Sequence, residues 1–77
     1  MKKEIQNIMN YYYSDISQAR ANGFEAIMFP LCTNYETYTL SNSEDMDDLY
    51  EIATESGWNQ FVVLNLFSNQ QTFYQST

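Results

Sequence analysis

The chain contains no histidine, one cysteine, one proline, two glycines and three basic residues in 77 positions. Each shortage excludes something. Without histidine, the usual general base at neutral pH and the commonest metal ligand are both missing. Cys32 stands alone, so it has no mate for an internal disulfide, which suits a reducing cytosol. It also lacks a histidine to activate it as a nucleophile, and is expected to fill a turn or core position. Gly23 and Gly57 cannot build a phosphate-cradling loop, and no serine sits in a nucleophile-elbow pattern. Asp45, Asp47 and Asp48 cluster, but a calcium loop also needs a central glycine and a terminal glutamate at fixed spacing. These gaps predict a protein that is not an enzyme and that uses no cofactor and no metal.

Long apolar runs are missing too. The longest aliphatic-aromatic run, Phe61 to Leu64, is far short of the ~20 residues a membrane helix needs. The N-terminal stretch MKKEIQNIMNYYYSD lacks the apolar core of a signal peptide. The expected location is the cytoplasm, with no membrane partner.

Positive charge is scarce and segregated. Lys2, Lys3 and Arg20 face ten acidic residues, for a net charge of −7. Residues 1–20, which include Glu4 and Asp15, carry +1, whereas residues 21–77 carry eight acids and no base, hence −8. Such a field repels nucleic acid and attracts basic surfaces, so direct binding to DNA or RNA is not expected.

Apolar and aromatic residues are plentiful: 44% hydrophobic and 17% aromatic, including seven tyrosines and five phenylalanines. That is enough for a core and argues against disorder. A single domain, residues 1–77, is expected, burying about 60–65% of its unfolded surface. Residues 2–22 read as one helix, because Ile5, Ile8, Met9, Tyr12, Ile16 and Ala19 recur at three- and four-residue steps before Gly23. Tyr12 lies on that stripe. Tyr11 and Tyr13 flank it and are candidates for a protein contact, since tyrosine is enriched at interface centres; the plainer reading is two half-covered rings.

Phe24 to Leu31 is strand-like and apolar on both faces apart from Glu25, with Pro30 near its end. Cys32-Thr33-Asn34 would turn the chain into a second strand, Tyr35 to Leu40, completing a hairpin. Gln60 to Phe67 reads as a third strand. Ser68-Asn69-Gln70 would lead to a short last strand, Thr72 to Gln75, or to a frayed tail. The expected fold is α+β, in the order α-β-β-α-β(-β). Two helices would pack on one face of a mainly antiparallel three- or four-stranded sheet.

The most distinctive chemistry lies between Leu40 and Trp58, which holds six of the ten acids and no base. Met46, Leu49, Tyr50 and Ala53 form one apolar helical stripe, while Glu44, Asp48, Glu51 and Glu55 step along the opposite side beside Asp47. Ser43, or Ser41 with Glu44 three residues on, would cap the helix, and Gly57 would stop it. Like-charged pairs four residues apart, such as Glu51 with Glu55, each cost roughly 0.2–0.5 kcal/mol in an isolated helix. A solvated, solubilising face is one reading. The other is a line of carboxylates, extended by Glu36 on the hairpin, that occupies the basic site of a nucleic-acid-binding protein. A third reading assigns contact to surplus aromatics (Tyr11, Tyr13, Tyr35, Phe61, Phe67, Phe73 and Tyr74), through which a homodimeric regulatory module would pair.

The run YETYTLSNSEDMDDLYEIATESGWNQ, residues 35–60, resembles the strand–acidic-helix–GWNQ portion of small acidic anti-CRISPR proteins of Listeria prophages, with a short gap within the helix. Gly57-Trp58-Asn59-Gln60 is its most specific piece. The resemblance implies an inhibitor that occupies the site where a CRISPR effector nuclease reads the motif beside its DNA target, acting in the cytoplasm of a bacterial host. A looser similarity extends to phage uracil-DNA glycosylase inhibitors. Beyond Gln60 the sequences part, because the family continues with a dense acidic segment and this chain with FVVLNLF; no contact residue is carried over. The candidate partner-binding residues are Glu36, Glu44, Asp47, Asp48, Glu51, Glu55, Tyr11 and Tyr13.

Overall fold

The apolar stripe at the N-terminus folds as two helices rather than one: α1, Lys2–Tyr11, and α2, Tyr13–Ala21. The computed structural model of the chain describes residues 2–31, 36–41 and 46–75. The break falls at Tyr12, with φ −96° and ψ 20°, although helical hydrogen bonds still run from Tyr12 N–H to Ile8 O (3.0 Å) and from Ile16 N–H to Tyr12 O (2.9 Å). Three successive tyrosines weaken a helix locally, since aromatic side chains lose rotamer freedom against the preceding turn. The opened turn sets the buried Tyr12 ring 5.2 Å from that of Phe29. Ile16 and Ala19 are buried with it, and Ile5, Ile8 and Met9 pack against the same cluster, so the expected stripe is the one used.

Four strands follow: β1 (Ala26–Pro30), β2 (Tyr38–Leu40), β3 (Gln60–Asn65) and β4 (Gln71–Gln75), with helix α3 (Met46–Ser56) between β2 and β3. They form one antiparallel sheet in the order β2-β1-β3-β4. The last strand is therefore a strand and not a frayed tail. The β1–β2 hairpin is paired from Ala26↔Leu40 to Met28↔Tyr38; Cys32, Thr33, Asn34 and Tyr35 lie outside the described residues. β1 ends at Pro30, as its missing N–H requires.

The helices do not share one face of the sheet. Ile27, Phe29, Val62 and Leu64 pack under α1 and α2 with Tyr12, Ile16 and Ala19. Ala26, Met28 and Phe61, from the alternate positions, pack under α3 with Leu49, Ala53 and Trp58. The arrangement is three layers, helix–sheet–helix. Its cause is legible in β1, where all five residues are buried: a strand apolar on both sides needs cover on both sides. Among the described residues, no helix is long and apolar enough to cross a membrane.

Two helices stop by the same device. Gly57 adopts φ +77°, its N–H bonds to Thr54 O (3.1 Å), and the next N–H, of Trp58, reaches back to Ala53 O (2.8 Å). This is the Schellman arrangement, in which a left-handed glycine lets the chain satisfy two terminal carbonyls. Gly23 (φ +83°), Phe24 and Ala19 repeat it at the end of α2, where Phe24 N–H bonds to Ala19 O (3.1 Å). In each case the residue after the glycine packs into the same core cluster as its hydrogen-bond acceptor. A Cβ on Gly57 would meet nothing within 4 Å, so the penalty for alanine is purely conformational. Gly57→Ala is expected to cost about 1–2 kcal/mol in urea denaturation, and Gly57→Asn less. A neutral alanine variant would show that the helix does not depend on this left-handed stop.

Candidate functional site

The acidic helix presents its charges because its other side is fully committed. Leu49 and Ala53 are buried, and Tyr50 and Ile52 pack against the same cluster. The Tyr50 ring lies 5.9 Å from Phe61 and 5.8 Å from Tyr74, edge-on to both, so this flank of α3 faces β4. At about 100° per residue, Glu51, Glu55 and Asp48 fall roughly 100°, 140° and 160° away from Tyr50, all on one side of the helix. Asp48, Glu51 and Glu55 are all exposed. They leave the helix on the solvent side and on the flank turned toward the β2 edge. Asp47 belongs to α3 one turn before Glu51. Glu44, Asp45 and the candidate cap Ser43 lie outside the described residues, as does the start of the expected helix.

Glu36 joins this line from the hairpin. It precedes β2 and is exposed, and Trp58 Nε1 donates to its Oε2 at 3.3 Å. Because Trp58 directly follows the Schellman stop, that hydrogen bond carries Glu36 to the C-terminal end of α3. The two elements border an open cleft of about 490 Å³ lined by Glu36, Thr37, Tyr38, Ser56 and Trp58. The end of a helix carries the negative pole of its dipole. Here Glu55 lies in the last turn without any basic residue there, so carboxylates and backbone carbonyls add to one negative region. Trp58 was not among the residues the sequence suggested, although an apolar residue after a helix-stopping glycine is the expected signature of its packing role.

The candidate residues do not form one surface. Tyr11 and Tyr13, 39% and 68% exposed, sit on α1 and α2, across the sheet from α3. The cations are on that far side as well: Lys2 and Lys3 belong to α1, and Arg20 belongs to α2. The Arg20 guanidinium donates to Leu66 O (2.7 Å) and Asn69 Oδ1 (3.0 Å), tying α2 to the β3–β4 turn. The surplus aromatics scatter too. Phe61 is fully buried, stacked 5.1 Å from the half-buried Tyr74 and flanked by Trp58. Phe73 is half-buried, Phe67 is 71% exposed at the β3–β4 turn, and Tyr35 lies outside the described residues. The buried and half-buried rings divide between the two core clusters, with Tyr12, Phe29 and Phe73 under α1 and α2 and Trp58, Phe61 and Tyr74 under α3.

Among the described residues, no group of three or more carboxylate or cysteine side chains gathers in a way that could hold a metal ion. Comparison with protein-family models, with curated proteins and with solved structures finds no match to this chain.

Proposed function

We propose that this protein is a small non-enzymatic inhibitor that occupies the basic nucleic-acid site of a partner protein, its acidic α3 face standing in for phosphates. The observation that carries the reading is the exposed line Asp48, Glu51, Glu55, continued by Glu36 beyond the helix end. From Asp48 to Glu55 the line covers roughly 10 Å at 1.5 Å per residue, and a DNA strand presents a phosphate every ~3.4 Å. The spacing of charge is therefore of phosphate-backbone scale. The absence of any base after Arg20 supports the same reading, because a merely solubilising face tolerates interspersed lysines and a phosphate mimic does not. The resemblance over residues 35–60 suggests an anti-CRISPR role in a phage-infected bacterial cell, with a CRISPR effector nuclease as the first target to test and a uracil-DNA glycosylase as the second.

Salt provides the test. The protein is titrated against guide-loaded effector nuclease, and separately against glycosylase, each holding a fluorescent duplex, at about 50 and 500 mM salt. Displacement of the duplex at low salt, weakened at least tenfold at high salt, is the expected result, since the screening length of exposed charges falls from about 14 Å to about 4 Å across this range. Displacement that is equally tight at both salt levels would overturn charge mimicry, and no displacement from either enzyme at low salt would remove both targets.

A further inference from the structure

The sheet has two edges of opposite character. The β2 edge is three residues long and borders the acidic cleft, and short or charged edges resist pairing with other chains. The β4 edge has neither protection. Among the described residues β4 pairs with β3 alone, it runs for five residues without proline or charge, and Phe73 and Tyr74 favour extended backbone. The whole sequence from Ser56 to Thr77 contains no charged residue of either sign. In a protein of net charge −7, this hairpin is the place where a second copy can approach with least repulsion.

The backbone phase defines what that edge offers. Leu31 N–H bonds to Gln60 O and Leu66 N–H to Glu25 O, whereas Asn65 N–H bonds to Gln70 O. Even-numbered positions of β3 therefore face β1 and odd-numbered positions face β4. Through the pairs Val63↔Thr72 and Phe61↔Tyr74, Thr72 and Tyr74 direct their amides inward. Gln71, Phe73 and Gln75 direct theirs out from the sheet.

We infer that β4 pairs with β4 of a second copy, antiparallel and centred on Phe73, to form a continuous eight-stranded sheet. Phe73 opposes its symmetry mate, and Gln71 opposes Gln75 of the partner subunit. About six backbone hydrogen bonds form, two for each hydrogen-bonded pair. The two-fold axis is perpendicular to the sheet, so both α3 helices lie on one face of the dimer and both acidic lines stay open. The pairing is independent of the proposed inhibitory role, and the two respond to salt in opposite senses: added salt screens repulsion between copies and holds or tightens the dimer.

Sedimentation and light scattering from about 10 µM to 1 mM protein test the inference. The chain is expected to reach twice its 9.1 kDa monomer mass, with no loss of dimer at high salt. Gln71 and Gln75 are exposed, so substitutions there leave the core intact, which circular dichroism verifies. Gln71→Lys with Gln75→Lys sets like charges opposite each other and is expected to weaken the dimer at least tenfold. Gln71→Lys with Gln75→Glu sets opposite charges across the seam and is expected to restore it. A wild-type chain that stays monomeric at about 1 mM overturns the inference and leaves the edge for a strand of some other protein. A folded double-lysine variant that stays dimeric overturns it equally.

Discussion

Replacing Phe61 with alanine is expected to cost about 3–5 kcal/mol, within the range for large aromatic truncations in a core. A 77-residue chain has a total stability on the order of 4–11 kcal/mol, so this one change removes about a quarter of it or more. The size of the effect follows from position. Phe61 is fully buried and touches the rings of Tyr50, Tyr74 and Trp58, which come from α3, β4 and the turn between α3 and β3. Truncation opens a cavity where three elements meet, and aromatic pairs add about 0.5–1.5 kcal/mol beyond burial. Urea denaturation followed through Trp58, the sole tryptophan, should show the midpoint fall by about 1.5 M or more for a slope near 1–2 kcal/mol/M. Phe67→Ala, six positions on and 71% exposed, is expected to stay within about 0.5 kcal/mol of wild type. Equal effects at the two sites would contradict the assignment of one ring to the core and the other to the surface.

The second large effect separates binding from folding. In the triple variant Asp48→Asn, Glu51→Gln, Glu55→Gln, the like-charge pair between Glu51 and Glu55 disappears, which should stabilise an isolated helix by roughly 0.2–0.5 kcal/mol. The fold is therefore expected to be as stable as wild type or slightly more so. Inhibition should nevertheless fall by roughly 100-fold, from about 1 kcal/mol lost per charge and tenfold for every 1.4 kcal/mol. Each side chain keeps its shape and loses only its charge, so an unchanged inhibition curve would mean that shape or another surface makes the contact. Tyr13→Ala, on the far side of the sheet, serves as the control that should leave inhibition unaltered. If Tyr13→Ala disrupts inhibition and the triple variant does not, the interface lies across α1 and α2 instead.

Much of this fold was legible in the order of residues, and the parts that were not have identifiable causes. The stripes of α2 and α3 follow from three- and four-residue spacing, and Gly23 and Gly57 sit where a left-handed residue is needed. The hairpin, the third strand and the last strand are likewise signalled by alternation and turn residues. Two expectations are overturned. The helix interruption at Tyr12 leaves no mark in the apolar period, because the ring that opens the turn also belongs to the stripe. The expected placement of the helices on one face fails for a reason present in residues 26–30, which are apolar in both phases and need cover on both sides. The acidic side of α3 was readable from sequence alone. Its extension by Glu36 was expected from the hairpin, but the part Trp58 plays in holding Glu36 at the helix end was not, because that hydrogen bond joins residues 22 positions apart. Nor could ring counting reveal that Phe61 is a core residue, since its strand is apolar on both faces and the identity of the cover is a tertiary fact.

The separation of an acidic flank from an uncharged hairpin also bears on how fast a partner is found. Charge gathered on one side exerts a torque as the molecule nears a positive surface, turning α3 toward it before any atoms touch. Oriented approach of this kind raises association rates well above the 10⁵–10⁶ M⁻¹s⁻¹ typical of unsteered protein pairs. In the proposed role, where the protein would compete with long, highly charged DNA, early arrival would count as much as a slow departure.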